Sequence, residues 1–287
     1  MQYTELKAKP SLAKQYFSAV TTKADRNVTS IPQIGFALRE QTIERDKVTQ
    51  YAKLCGFKEN GVLPITYPHV LATPLHIEVM VQTNFPFKLL GLVHVNNVIN
   101  QYRPININER VDIYCRAGDL YATDKGMEAV LISELRVAGE LVWDSTSTML
   151  SRGYVASGVS PSPAKNNLTA NDYITEQWEV ASDTGRRYAA ISGDRNPIHL
   201  YPLTAKMFGF PRHIVHGMWT KAKALAEIDK KHNIFAGQTS VEVQFKTPIL
   251  LPAIVCFSHR AKDNGVNFKV ADKNDQKPHV VGYVTTS

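Results

Sequence analysis

The chain has 287 residues, 44% of them hydrophobic and 21% charged, and these proportions exclude a disordered or a fibrous protein. This length allows either one large domain or two domains of about 140 residues each. The net charge of +7 would suit an anionic partner, but the Lys and Arg residues are scattered and form no dense basic run. We therefore expect no nucleic-acid partner, whereas a small ligand that bears phosphates fits the same charge.

No apolar run approaches the roughly 20 residues that a membrane-spanning helix requires, and the best candidate, residues 249–257, contains Pro252. The N-terminus lacks the apolar core of a secretory signal, and the C-terminus matches no peroxisomal or retention signal. Cys55, Cys115 and Cys256 are odd in number and widely separated, which argues against a disulfide framework and a zinc site. These features predict no membrane insertion, a cytoplasmic location and reduced thiols.

The first half of the chain reads as helices followed by strands. Apolar residues recur at helical spacing in segments 11–20 and 43–57, and the Ser, Thr and Pro between them predict a loop. Residues 1–60 are therefore predicted to form an N-terminal helical extension. The next helix is predicted over 67–81, bent at Pro74. Three β-rich runs follow, at 92–102, 111–121 and 127–147, the last long enough for one bent strand or a pair.

A linker and a second set of helices and strands make up the rest of the chain. Residues 152–172 are rich in Gly, Ser, Pro and Asn, which predicts a linker with a domain boundary near residue 160. A strand at 173–180 and short helices at 183–192 and 202–208 precede a longer helix over 217–231. Four strands are predicted to finish the chain, at 239–245, 253–261, 266–271 and 279–284.

The order of a helix followed by strands thus occurs twice, and the sequence supports an internal repeat. Setting His69 against His216 also pairs Thr73 with Thr220, and a Pro-Ile pair follows each helix after its β-rich run. The two copies differ in chemistry, because Val70 stands where the second copy has Gly217. We therefore expect two copies of one fold, the first over 61–160 and the second over 161–287.

The segment most suited to chemistry is 188–199, which reads Y-A-A-I-S-G-D-R-N-P-I-H. Asp194 and His199 lie on either side of Pro197, which forbids a continuous helix and favours a loop that turns the two side chains toward one point. Such a pair can hold and activate a water molecule, because imidazole titrates near neutrality and a carboxylate can orient it or exchange a proton. Asn196 can fix the loop through backbone hydrogen bonds, and Gly193 allows backbone angles closed to other residues.

The residues of this loop are also compatible with a purely structural role or with metal binding. The sequence G-D-x-N-P is a good turn by itself, and the histidine after it could be coincidental. A metal site would use a larger set, namely Asp194, His199, His213 and His216, although the spacing of the last two is not a recognised pair on a helix. Gly217, at the start of the long helix, can point a backbone amide at a developing oxyanion, or can simply be needed for the turn.

The same residues closely resemble the signature of the MaoC-like dehydratases, which include the (R)-specific enoyl-CoA hydratases. The resemblance covers 188–199, then Ala205, Gly209-Phe210 and the string I-V-H-G-M at 214–218. It implies an α+β fold of the double hot-dog type, in which each of two repeats wraps an antiparallel sheet around a central helix. The repeat over 61–160 would be the degenerate one and that over 161–287 the catalytic one.

The resemblance also implies roles for individual residues. Asp194 and His199 fall on the catalytic dyad, Asn196 on the residue that stabilises its loop, and Gly217 on the oxyanion-hole amide. The remaining positions of the signature are predicted to bind substrate, namely Ser192, Gly193, Ile214, Val215, His216 and Met218. The implied reaction is the reversible hydration of trans-2-enoyl-CoA to (R)-3-hydroxyacyl-CoA, with a CoA thioester as partner and no cofactor or metal. Which dyad member acts as acid and which as base stays open.

The substrate, the oligomeric state and the class of activity are also left open. A carrier protein could hold the thioester in place of CoA, and a homodimer of double hot dogs is compatible with the family. A non-catalytic acyl-thioester-binding protein is the rival from another class, although an intact dyad speaks against it. Thioesterases share the fold but lack the loop with Asp194 and His199. Pro74 is compatible with a shortened helix in the first repeat, which favours medium or long acyl chains.

Overall fold

The computed structural model describes residues 2–21, 30, 31, 33–152, 173–262 and 264–286. The predicted boundary near residue 160 lies outside these residues. In chain order the elements are β1 (Thr4–Glu5), α1 (Leu12–Thr21), β2 (Gly35–Thr42), α2 (Arg45–Cys55), α3 (Tyr67–Met80), β3 (Val93–Gln101), β4 (Arg110–Thr123), β5 (Gly126–Val137), β6 (Glu140–Ser151), β7 (Ile174–Val180), α4 (Thr184–Ser192), a 3-10 turn (Pro197–His199), α5 (Pro202–Lys206), α6 (Gly217–His232), β8 (Thr239–Phe245), β9 (Ala253–Lys262), β10 (Gly265–Asp272) and β11 (Pro278–Thr286).

These elements form two compact units. Unit 1 comprises Met1–Ile43, Pro68–Asn97 and Asn108–Pro163, and unit 2 comprises Glu44–Tyr67, Val98–Ile107 and Ala164–Ser287. Each unit combines mainly antiparallel strands with one long, largely buried helix. This arrangement confirms the predicted α+β class.

In unit 1 the strands lie in the order β1-β2-β4-β5-β6, followed by β3, of which only residues 93–97 belong to this unit. β5 and β6 are antiparallel neighbours joined by Ala138 and Gly139, whose φ angles of 47° and 86° are those of a tight two-residue hairpin turn. The β-rich run at 127–147 is therefore a pair of strands. The long helix of this unit is α3, which continues through Pro74 and buries apolar residues around its circumference, including Leu75 and Val79 at 0% exposure.

The N-terminal region differs from the predicted extension over 1–60. Both predicted helices are present, but residues 35–42 form β2, an antiparallel neighbour of β4, where a loop was expected. Phe36, Ala37 and Leu38 of this strand are buried. The structure also divides the region, because β1 and β2 belong to unit 1 whereas α2, with Tyr51 and Cys55 buried, belongs to unit 2.

In unit 2 the antiparallel strands lie in the order β8-β11-β10-β9-β7. The central helix is α6, whose Ala222, Leu225 and Ile228 are fully buried and which contacts β10 and β11. β11 is nine residues long, so the C-terminal segment is sufficient for a final strand. Within the described parts of the chain, no helix has the length and apolar character needed to cross a membrane.

Candidate active site

The segment 188–199 forms the end of α4 and a tight loop after it. Gly193 ends the helix with φ of 77° and donates its N–H to the carbonyl oxygen of Ala189, a left-handed cap that glycine adopts without strain. Asn196 then begins the 3-10 turn, where its side-chain oxygen accepts a hydrogen bond from the N–H of Ile198 at 3.4 Å. Pro197 occupies the first position of this turn, which suits its fixed φ. The chain thereby reverses between Asp194 and His199.

Asp194 is held by the loop but remains open to solvent. Its Oδ1 accepts a hydrogen bond from the N–H of Asn196 at 3.2 Å, and its own N–H donates to Ser192 Oγ at 3.2 Å. The side chain is 43% exposed. Ser192 is buried, and its side chain accepts this hydrogen bond from the loop and so supports Asp194.

His199 is buried, and its hydrogen bond determines which ring nitrogen carries the proton. Nδ1 lies 2.9 Å from the carbonyl oxygen of Ile214. Because a carbonyl oxygen only accepts hydrogen bonds, Nδ1 is the donor and Nε2 bears the lone pair of the neutral ring. Burial lowers the pKa of His199 below its ordinary value of 6.5, and Asp194 opposes this in part. The ring is therefore neutral and basic at Nε2 at physiological pH.

The segment before α6 fixes the position of the Ile214 carbonyl. The N–H of Ile214 donates to the carbonyl oxygen of Ile198 at 3.0 Å, and the N–H of Val215 donates to that of Ile249 at 3.1 Å. The side chains of Ile214, Val215 and Met218 are buried. Of the predicted substrate-binding residues, Ile214 thus contacts His199 through its backbone carbonyl.

His216 completes the cluster. Its Nε2 lies 3.0 Å from the carbonyl oxygen of Asp194, and its ring stacks on that of His199 with centroids 3.7 Å apart. Ligand atoms of Asp194, His199 and His216 all lie within 4.8 Å of one another. His213 is directed elsewhere, with Nε2 at 2.7 Å from the carbonyl oxygen of Ser182, so the four-residue metal set of the sequence is not brought together.

Gly217 opens α6, with His216 as the residue before its first turn. N–H groups of a first helical turn have no partner within the helix, and the dipole makes this end positive. A Cβ at Gly217 would lie 2.8 Å from two ring carbons of Phe245 on β8, which is closer than real Cβ contacts. The position therefore needs glycine for packing, whereas its backbone N–H would be present in any residue except proline.

Two supports of the site were missed by sequence reasoning. A Cβ at Gly185, in the first turn of α4, would lie 2.3 Å from the carbonyl oxygen of His199, so the helix contacts the 3-10 turn directly. A glycine inside a helical pattern is the signal that could have indicated such a contact. Tyr188 lies against His216 with ring centroids 4.8 Å apart, and it neighbours Tyr51, whose hydroxyl donates to Thr66 Oγ1 at 2.8 Å. Tyr51 and Thr66 precede the loop by more than 100 residues, and no local pattern links them to it.

Comparison with known proteins shows which family the chain resembles. The family model described as MaoC like domain matches residues 164–282. The chain is 30% identical over 254 residues to 3-hydroxyacyl-thioester dehydratase X of Mycobacterium tuberculosis, covering 88% of this chain and 90% of that protein. It is also 30% identical over 156 residues to the peroxisomal enoyl-CoA hydratase 2 of Arabidopsis thaliana, covering 48% of this chain and 49% of that protein.

Solved structures show the same fold. The crystal structure of HtdX from Mycobacterium tuberculosis superposes with a TM-score of 0.77 at 30% identity, covering 88% of this chain and all of that one. A second Mycobacterium tuberculosis protein, described as having a double hot-dog fold, gives a TM-score of 0.60 at 10% identity over 93% of this chain and 99% of that one. The fold is therefore the predicted double hot dog. The match to 3-hydroxyacyl-thioester dehydratase X has 30% identity and extends along 90% of that protein, so the chain belongs to the MaoC-like dehydratase family.

Proposed function

We propose that this chain catalyses the reversible hydration of trans-2-enoyl-CoA thioesters to (R)-3-hydroxyacyl-CoA, with Asp194 and His199 as the catalytic residues. The observation that carries this proposal is the convergence of the Asp194 carboxylate and the His199 ring in one loop, with ligand atoms within 4.8 Å. A single water molecule can hydrogen-bond to two atoms at such a separation. The names of the relatives, a thioester dehydratase and an enoyl-CoA hydratase, support the same reaction class.

The tautomer of His199 favours it as the general base. Nδ1–H is engaged by the carbonyl of Ile214, so Nε2 accepts the proton of the bound water as its oxygen adds to C3. The carboxylate of Asp194 holds the second hydrogen of the water and stabilises the imidazolium, since it raises the pKa of His199. The imidazolium then returns the proton to C2 on the same face, which balances the addition of one water across the double bond.

The negative charge that develops on the thioester oxygen needs a donor outside the dyad. We assign this role to the N–H of Gly217, because it lies in the first turn of α6, next to His216. The helix dipole adds to this stabilisation. Alanine would keep the N–H but would clash with Phe245, so substitution of Gly217 tests packing before it tests the amide.

The charge around the loop supports a phosphate-bearing substrate. Between Thr184 and Gly217 the only acidic residue is Asp194 itself. The same stretch carries five cationic residues, namely Arg186, Arg187, Arg195, Lys206 and Arg212. An excess of positive charge beside a site raises the local concentration of anions such as the CoA phosphates. An acidic carrier protein would benefit from the same charge and is the second candidate source of the thioester.

Loss of enoyl absorbance with crotonyl-CoA and longer enoyl-CoA substrates, followed by chiral analysis of the product, tests the proposal. Wild-type protein should form the (R) product, and Asp194→Asn and His199→Ala should each lose about 100-fold or more in kcat. Asp183→Asn is the matched control, because Asp183 precedes the same helix and makes no side-chain cap bond. Full activity in both dyad variants would exclude the proposed mechanism. Tight acyl-CoA binding without hydration at any chain length would indicate a binding protein instead.

A further inference from the structure

His216 contacts both members of the dyad. Its Nε2 lies 3.0 Å from the backbone oxygen of Asp194 and 3.7 Å from Oδ2 of the same residue. Its ring stacks on His199 at 3.7 Å between centroids, with 26° between the planes. The side chain is 2% exposed, so bulk water does not take part in these contacts. A change at His216 would therefore reach both catalytic side chains at once.

The hydrogen bonds define the state of this ring. The backbone oxygen of Asp194 can only accept, so Nε2 of His216 is the donor and Nδ1 carries the lone pair. Among the described residues no hydrogen-bond partner reaches Nδ1, which is buried. Burial, followed by the neighbouring His199, lowers the pKa of His216 to about 3, against an opposing effect of Asp194. The ring is neutral throughout the physiological range and therefore acts neither as an acid nor as a base there.

We propose that His216 is a positioning residue that holds Asp194 through its Nε2–H and holds the ring plane of His199 by stacking. The inference rests on the proposed function, since it concerns the same two side chains, but it assigns His216 no contact with substrate. It replaces the substrate-binding role that the family signature implies for this position.

The surroundings of His216 support this role. Its backbone is fixed at the start of α6, where its carbonyl oxygen accepts from the N–H of Thr220 at 3.2 Å. Tyr188 contacts the ring at 4.8 Å between centroids, and Tyr188 in turn lies beside Tyr51. The imidazole is thus held by two elements of unit 2, α4 and α6. A ring fixed in this way can fix the groups it contacts.

The stacked arrangement also bears on the proton transfer. When His199 becomes an imidazolium, the face of a neutral aromatic ring beside it attracts the positive charge. A protonated ring at the same distance would repel it. The charged and titratable groups that act on His199 are Asp194, His213 and His216, of which only His216 stacks on the ring.

Two substitutions separate the two contacts. His216→Phe keeps a flat ring against His199 and removes the donor to Asp194. His216→Gln keeps an N–H donor near the position of Nε2 and removes the ring. His213→Gln is the matched control, because His213 is also buried and also donates from Nε2 to a backbone oxygen, that of Ser182. The readouts are kcat and KM with crotonyl-CoA, the melting temperature, and the pKa of His199 measured by NMR on 15N-histidine-labelled full-length protein without substrate.

The proposal predicts different results for the two variants. His216→Phe should lower kcat about tenfold, the value of one lost hydrogen bond, with KM within about twofold and the pKa of His199 near its wild-type value. His216→Gln should raise the pKa of His199 toward 6.5, because burial is the largest cause of its lowered value, and the hydration regained outweighs the loss of the ring's attraction for the imidazolium. His213→Gln should change the pKa of His199 less than His216→Gln does.

Three outcomes are decisive. If both His216 variants lower only the melting temperature, while kcat and the pKa of His199 stay at wild-type values, His216 is merely structural and the proposal is overturned. A rise in KM at constant kcat would also overturn it, because it would indicate direct substrate binding. If wild-type protein hydrates no enoyl-CoA but the pKa of His199 still responds as stated, the proposed function fails and the positioning role stands.

Discussion

Substitution of Gly185 tests how Asp194 and His199 are held in place. Gly185 lies outside their loop in the sequence but contacts the backbone of His199 in space. It lies in the first turn of α4, and a Cβ built on it would be 2.3 Å from the carbonyl oxygen of His199 and 3.6 Å from that of Ile214. Both are backbone atoms, so neither can avoid the methyl group by a change of rotamer. Gly185→Ala should therefore displace the 3-10 turn that carries His199.

The size of the effect follows from these distances. Real Cβ contacts are rarely shorter than 3.0 Å, so a contact of 2.3 Å must open by at least 0.7 Å, the difference between the two. Overpacking of this kind costs about 1–3 kcal/mol, whereas alanine gains about 1 kcal/mol over glycine in a helix. The net loss of stability is thus up to about 2 kcal/mol. A displacement approaching 1 Å at a catalytic group costs about 10- to 100-fold in rate.

The assay compares kcat/KM for enoyl-CoA hydration and the thermal melting curve of Gly185→Ala with those of the wild type. Ala190→Ser is the control, because it adds one heavy atom to an exposed position of the same helix. We expect the control to retain activity and Gly185→Ala to lose at least about tenfold while remaining folded. Wild-type activity and stability in Gly185→Ala would refute the conclusion that α4 positions His199.

Three further predictions follow from the site. kcat/KM should be at its maximum where His199 is neutral and should fall as the pH drops through the lowered pKa of His199. The midpoint of this decrease should lie below pH 6.5, and a midpoint above 6.5 would contradict the role of His199 as a buried base. The pKa of His216 is about 3 in the folded chain and about 6.5 in the unfolded chain. Between these two pH values the unfolded chain binds more protons than the folded chain, so the melting temperature should fall as the pH drops from 6.5 toward 3. Between pH 6.5 and 3 the melting temperature should change less with pH in His216→Phe than in the wild type, and an equal change would contradict a neutral His216 ring. Dialysis against a chelator should leave hydration unchanged, and a loss of activity that a divalent metal restores would support the metal alternative at Asp194, His199 and His216.

The parts of the fold that sequence predicted well have strong local signals. α6 begins at Gly217, as the glycine predicts, and the last turn contains Lys230 and Lys231. β8 spans Thr239–Phe245, the range that alternation of apolar residues predicts. β2 also has an apolar alternation, at Ile34, Phe36 and Leu38, but the Ser, Thr and Pro residues before it favoured a loop. The pairing with β4, about 70 to 80 residues later, stabilises this strand, and pairing between distant segments is not visible in the local sequence.

The residues of the site also fall into those that the local sequence predicts and those that it does not. Asp194, Asn196 and His199 were predicted because their types and spacing lie within one loop. The contacts that orient them come from backbone atoms or from elsewhere in the chain: the carbonyl of Ile214 is 15 positions from His199, and that of Asp194 is 22 positions from His216. A backbone carbonyl is present at every residue, so sequence alone does not reveal which one a histidine will use.

The central claim is that Asp194 and His199 add one water across the double bond of an enoyl thioester on one face. Hydration of a trans-2-enoyl-CoA in D2O enriched in 18O, with mass and NMR analysis of the product, tests it most directly. The account predicts 18O at C3, one deuterium at C2 on the same face as the new hydroxyl, and the (R) configuration at C3. Labelling should be at least about 100-fold slower in Asp194→Asn, because the imidazolium and the water lose the carboxylate that stabilises them. An (S) product, deuterium on the opposite face, or equal labelling in Asp194→Asn would contradict it.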